Sequence, residues 1–261
     1  MYKGDTLYRC SEERMKETLK VLSAGDEEAL TKAFRKRMKG LGADIVTDDL
    51  GNIYATVPGS GEDGKKIVLS CPDIFDAAGI CTAVEIVETI VTEVIPHKHS
   101  LTVLLWNSES RDPELVPAMG IICRDYLPEE VKHDYKEDMI KPDKNGDRKY
   151  RLNTHDFRFM LETHTVPVIR NRIGIADMIP AVRKRNRAEL HYNEKLTKLA
   201  EDSAVSCNVK YELLHYTPGR DTWIAAHMLP TAAILVGTPD AKYLTQAGDI
   251  LLTTILQADK M

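Results

Sequence analysis

The stretch KKIVLSCPDIFDAAGICTAVEIVETIVTEVI occupies residues 65–95, and SLTVLLWN follows at 100–107. KKIVLSC is short and nearly continuously apolar, the pattern of a strand buried on both faces. From Gly79 to Ile95 the apolar spacing is helical, and SLTVLLWN is a second buried strand. A strand, a helix and a strand in succession define a βαβ unit, whose two strands run parallel. The chain leaves the first strand through Cys71, Asp73 and Asp76. A thiol and two acids at that point have the look of a metal site, although a hydrolytic zinc centre ordinarily has a histidine there.

Working outward, the alternation continues. DEEALTKAFRKRMKGLG (26–42) places Leu30, Phe34 and Met38 on one helical face, with Gly40 as the stop. Ser11 caps an earlier helix that runs to about Lys20. ADIVTDDLGNIYATVPG (43–59) reads as two strands around a turn at Asp49–Asn52. Residues 27–107 therefore predict an α/β fold with a mostly parallel sheet. Further on, DYKEDMIKPDKNGDRKY (134–150) is polar and turn-rich, and FRFMLETHTVPVI (157–169) alternates as a strand. RNRIGIADMIPAVRKRNR (170–187) carries six Arg or Lys and reads as a connector. AELHYNEKLTKLAEDSAV (188–205) is an amphipathic helix. VKYELLHY, DTWIAAHM, TAAILVG and AKYLTQAGDILLTTILQ then give strand, helix, strand and helix. No repeat or low-complexity tract interrupts the pattern.

At 261 residues the chain can bury a sizeable core in one large domain. Its formal charge of −5 gives no general attraction to nucleic acid or anionic membrane. No apolar run approaches the ~18 residues of a membrane span. The opening MYKGDTLYRCSEER lacks an apolar signal core, and five scattered Cys suit reduced thiols, so a cytoplasmic setting is expected. Cys81, Cys123 and Cys207 read as buried core thiols. His97 and His99 read as a solvated loop despite their metal-compatible H-K-H spacing, and His227 reads as helix packing.

In open α/β sheets ligands bind beyond the carboxyl ends of the strands. Three such ends carry candidate groups: Cys71 with Asp73 and Asp76, Asn107 with Glu109, and the 157–165 strand with His164. Asp76 reads equally well as a helix cap.

The order of these segments resembles the M20 metallopeptidase/amidohydrolase group, in particular its N-carbamoyl-L-amino-acid hydrolase and allantoate amidohydrolase branch. DDLGNIYATVPGS resembles the family's D-x-x-G-N hairpin, and IVLSCPDIFDAAG its metal segment. VLLWNSESRDPELVPAMG, FMLETHTVPVI and TPGRDTWIAAHMLPTAAILVG resemble three further segments, and AGDILLTTIL resembles the closing helix. The likeness spans most of 27–258. It implies a single three-layer α/β/α domain over 1–261, with a mixed, mostly parallel sheet.

Carried over by position, the resemblance makes Asp76 the carboxylate bridging two metals. Glu109 becomes a ligand of the second metal, His164 a ligand of the first, and Asp73 the group orienting a ligand histidine. The departures are equally specific. Cys71 stands in place of a ligand histidine, and Ser108 in place of the general-base glutamate. TPDAK replaces the segment that supplies another histidine, leaving Asp240 nearby. Arg220 replaces the histidine of G-H-D-A, while Asp221 persists. The family's lid domain has no counterpart beyond the basic connector near 170–188. The lid's dimer contacts are therefore missing, and any oligomer must use another surface.

Two readings remain open. One is a repurposed amidohydrolase acting on an amide-, amidine- or ureido-type C–N bond of a small molecule. Its catalytic residues would be Cys71, Asp73 and His164. Asp76, Glu109, His164 and Cys71 would hold one zinc ion or none, and Arg220, Asp221 and Asn107 would bind substrate. A Cys–Asp–His set suits one tetrahedral zinc with a bound water. Loss of the base at Ser108 removes roughly 10²–10⁴-fold in rate. The other reading is a non-catalytic homologue that binds a small molecule or partner protein in the inherited cleft.

Overall fold

The computed structural model describes residues 7–22, 26–47, 51–61, 64–71, 76–106, 157–177, 192–216 and 229–260. Helices α1 (Glu12–Leu22) and α2 (Glu27–Gly40) come first, and β1 (Asp44–Thr47) and β2 (Ile53–Val57) form an antiparallel pair. Then follow β3 (Lys66–Cys71), α3 (Ala77–Thr92), β4 (Ser100–Leu105), β5 (Phe157–Thr165) and β6 (Ile173–Asp177). The described chain closes with α4 (Glu194–Ser206), β7 (Tyr211–His215), β8 (Thr231–Val236) and α5 (Ala241–Ala258).

One eight-stranded sheet runs β1-β2-β4-β3-β5-β8-β6-β7. The β3–β4, β3–β5, β5–β8 and β6–β7 pairs are parallel, and the other neighbours are antiparallel. From β3 the chain crosses through α3 to β4 on one side, while β5 pairs on the other. That reversal is the switch point where open α/β sheets place their ligands. It lies just beyond Cys71 and Thr165.

Met38, Phe34 and Leu30 of α2 are buried as their spacing predicts. The positive-φ residue after α2 is Gly42 (φ 80°) rather than Gly40, because Leu41 still donates back into the helix. Strand β6 lies inside the stretch the sequence marks as a connector. Its IGIA core pairs with β7 on one side and β8 on the other. Flanking arginines hide a strand of only five residues from pattern reading.

Helix α3 is buried all round, packed against the sheet, α1 and α5. Such a helix is normally apolar throughout, yet it contains Glu85 and Glu88. Both are matched by arginines from other helices. Glu85, fully buried, accepts from Arg14 Nη2 at 2.7 Å, Arg14 Nε at 3.2 Å and the Ser11 N–H at 2.6 Å. Glu88 accepts from Arg37 Nε and Nη2 at 3.0 and 2.6 Å. A third buried acid, Asp249 on α5, takes Arg9 Nη1 at 2.7 Å and the Cys10 N–H at 2.8 Å. The segment leading into α1 is thus held by charge-assisted hydrogen bonds at both sites.

Candidate functional site

Asp76 is the N-cap of α3. Its Oδ1 accepts from the Ala78 N–H at 3.0 Å and from Thr165 Oγ1 at 2.6 Å, and its Oδ2 from the Thr165 N–H at 2.8 Å. The carboxylate therefore ties the start of α3 to the end of β5. Gly79 makes this approach possible: a Cβ there would lie 3.3 Å from the Thr163 carbonyl oxygen and 3.6 Å from Cys71 Cα.

Side chains alternate faces along a strand. The pairing of Ser70 with Glu162 fixes which groups share a face. Cys71 falls on the face that carries α3, inside the main apolar core with no exposed surface. His164 falls on the opposite face with Glu162 and Ser70. Cys71 and His164, expected as partners, are thus not brought together. Burial, then the Glu162 and Asp76 charges, push the Cys71 thiol well above its ordinary range. Cys71 is accordingly expected to react with iodoacetamide at pH 8 no faster than the fold opens, with or without chelator. Fast labelling of the native protein, mapped by peptide mass analysis, would contradict that placement.

On the His164 face the hydrogen bonds form a directed chain. Trp106 Nε1–H donates to Ser70 Oγ at 2.8 Å, Ser70 donates to Glu162 Oε1 at 2.7 Å, and His164 Nε2 lies 2.9 Å from Glu162 Oε2. A carboxylate can only accept, so His164 carries its proton on Nε2. The Tyr216 ring lies 5.1 Å from the imidazole, tilted by 42°. Tyr192 packs alongside. Glu162, Ser70, Trp106, Tyr192 and Tyr216 were not singled out in the sequence. The E-x-H spacing at 162–164 was the available signal, since period-two alternation puts both side chains on one face.

The described residues do not by themselves complete a zinc site. A structural or catalytic zinc needs at least three protein donors, and among the described residues no three His, Cys, Asp or Glu side chains are gathered to hold a metal. Asp76 is spent on three hydrogen bonds, Cys71 is in the core, and His164 is bonded to Glu162. Asp73, Asn107, Glu109, Arg220 and Asp221, like Cys123 and His227, lie outside the described residues. Cys81 and Cys207 are buried as expected. His99 corrects the solvated-loop expectation: it is 1% exposed, between Arg158 and Asp259. Among the described residues no helix is long and apolar enough to cross a membrane.

An eight-stranded mixed sheet with this switch point defines the three-layer α/β/α fold of the hydantoinase/carbamoylase amidases. The structure superimposes on such an amidase from Burkholderia ambifaria with a TM-score of 0.71 and 12% identity, over 97% of this chain and 99% of that one. AtUAH in complex with (S)-hydroxyglycine gives 0.72 and 11%, over 98% and 99%. The aminopeptidase PepT from Bacillus cereus gives 0.59 and 12%, over 95% and 99%. At these identities the likeness is one of fold, and it agrees with the resemblance read from the sequence. No family model and no curated protein matches the sequence.

Proposed function

We propose that this chain binds a small molecule carrying an amide-, amidine- or ureido-type C–N group at the carboxyl ends of β3, β4 and β5, without running dizinc hydrolysis. The supporting observation is the commitment of Asp76: a carboxylate with three hydrogen bonds that clamp α3 to β5 is a structural staple. Polar recognition then falls to Glu162 and His164 on the other face. Arg220, Asp221 and Asn107 are proposed as further contacts, and a cytoplasmic, lidless single domain is part of the same reading.

A second reading, a C–N hydrolase with a remodelled site and at most one zinc, is favoured by the Glu162–His164 pair. An imidazole oriented by a buried carboxylate is the arrangement of a general base. In that case Cys71, Asp73, Asp76 and Glu109 would supply the metal or the remaining chemistry.

The two readings separate in one set of measurements on protein purified without added zinc. Calorimetry with N-carbamoyl amino acids is expected to show binding, while ammonia release stays at background. His164→Ala is expected to weaken binding by about tenfold, the equivalent of one lost charge-assisted hydrogen bond. Cys71→Ala should leave it within about twofold. Turnover that is lost in His164→Ala would move the assignment to the second reading. Zinc-dependent turnover that is lost in Asp76→Ala would overturn the first.

A further inference from the structure

Tyr192 immediately precedes Asn193, the N-cap of α4, whose N–H donates to the Thr231 carbonyl at 2.9 Å. This anchor lays the tyrosine over β8, where it packs with Ala233 and Leu235, next to Tyr216. In the sheet register Ala233 pairs with Glu162 and Leu235 with His164. Tyr192 therefore shares their face, and the small Ala233 leaves room for its ring. The residue is 1% exposed, yet its phenol oxygen is buried with no hydrogen-bond partner. The half-buried Tyr211, by contrast, donates to Glu201 at 3.0 Å. Buried polar atoms are nearly always paired, so the phenol oxygen keeps a hydrogen bond in reserve for a group bound on this face.

We propose that Tyr192 is a specificity-determining, ligand-contacting residue, whose phenol O–H donates to a neutral carbonyl oxygen and so selects amides and ureido compounds over amidines and guanidines. The proposal rests on the small-molecule reading given above. Burial and the nearby Glu162 charge keep the phenol protonated, so it is a donor. The same charge disfavours an anionic acceptor. Both Glu162 oxygens already accept, from Ser70 and His164, so a cationic guanidine keeps the general attraction of that charge and gains no acceptor for the phenol. A carbonyl oxygen satisfies the orphan donor, whereas an amidinium or guanidinium offers only N–H groups and leaves it unsatisfied. Sites built to hydrogen-bond one group reject analogues that lack the complementary atom far more strongly than apolar pockets do.

The test uses N-carbamoylglycine and guanidinoacetate, which have C=O and C=NH2+ at the same position and so also differ by one unit of charge. That charge difference is the same in wild type and Tyr192→Phe, so the change in preference between the two proteins reads the hydrogen bond. Calorimetry on the wild-type chain is expected to favour N-carbamoylglycine by about tenfold or more. Tyr192→Phe should reduce that preference to near equality. Without ligand its melting temperature should equal or exceed that of wild type, because the variant removes an unpaired buried hydroxyl. Unchanged preference in Tyr192→Phe would overturn the inference and leave the small-molecule reading standing. So would a melting temperature several degrees lower without ligand, since the hydroxyl would then be satisfied within the protein. If the wild-type chain binds neither probe, the binding reading falls, and this assignment with it.

Discussion

Arg14→Ala is expected to destabilise the fold by about 3–5 kcal/mol, the cost of leaving one member of a buried ion pair alone. Glu85 has no exposed side-chain surface, and the Arg14 side chain is only 25% exposed. The guanidinium makes three hydrogen bonds: two to the Glu85 carboxylate and one to Thr89 Oγ1, the last at 2.8 Å. Alanine leaves the charge of Glu85 facing the Ser11 N–H and the Thr89 hydroxyl alone. In a chain of this size the loss corresponds to a fall in melting temperature of roughly 6–20 °C. Urea unfolding followed by circular dichroism measures it directly. The apolar double replacement Arg14→Met with Glu85→Leu should recover most of the loss, because it removes the buried charge along with its partner. A loss below about 1 kcal/mol in Arg14→Ala would show that the pair behaves as an exposed one.

A steep alkaline loss of stability is the second large effect expected. Cys10 and Cys71 are pushed well above the ordinary 9.0, and Cys81 up to about 12. Burial is the main cause in each. Neighbouring carboxylates add to it: Asp249 and Glu85 at Cys10, Glu162 and Asp76 at Cys71, and Asp76 at Cys81. The sign follows from proton counting. Below pH 9 these thiols are protonated in both the folded and the unfolded chain, and their contribution is fully present. As pH rises above 9 the unfolded chain releases protons that the folded chain retains, so stability falls until the folded-state values are reached. Each thiol contributes about 1.4 kcal/mol per pH unit in that window, and the three together about 4. Total stabilities of roughly 5–15 kcal/mol are exhausted within a few such units. The urea midpoint should therefore drop sharply between about pH 9 and 11, and Cys71→Ala should make the drop shallower by about a third. A midpoint that stays level across this range would contradict the burial of these thiols.

The elements best anticipated by the sequence are those whose pattern is local. The β3–α3–β4 unit follows from two continuous apolar runs and a helical one. The burial of Leu30, Phe34 and Met38 follows from their spacing. What the sequence concealed depends on contacts between distant segments. Two glutamates in an apolar helix look like defects until Arg14 and Arg37 are brought against them across 71 and 51 positions. At the site, His164 was recognised at its strand end, but its pairing with Cys71 was not realised. The register that sets Ser70 beside Glu162 turns Cys71 and His164 to opposite faces, and a register is a property of two strands that neither sequence carries alone. Tyr192 was invisible for the same reason: it precedes the capped turn of an amphipathic helix and reaches the site only through the fold.

The anchoring of the α1 segment on Asp249 bears on how the polypeptide is made. Arg9 and Asp249 are 240 positions apart. During synthesis at ~5–20 residues per second, Arg9 emerges at least ten seconds before its carboxylate partner exists. Through that interval α1 can reach Glu85 on α3 but not α5, so its docking is half complete while the strands that follow are still being added. Helix α5 thereby completes the anchoring of the segment that leads into α1, and an arrest of translation before Ala241 would strand a nascent chain with that segment only partly secured.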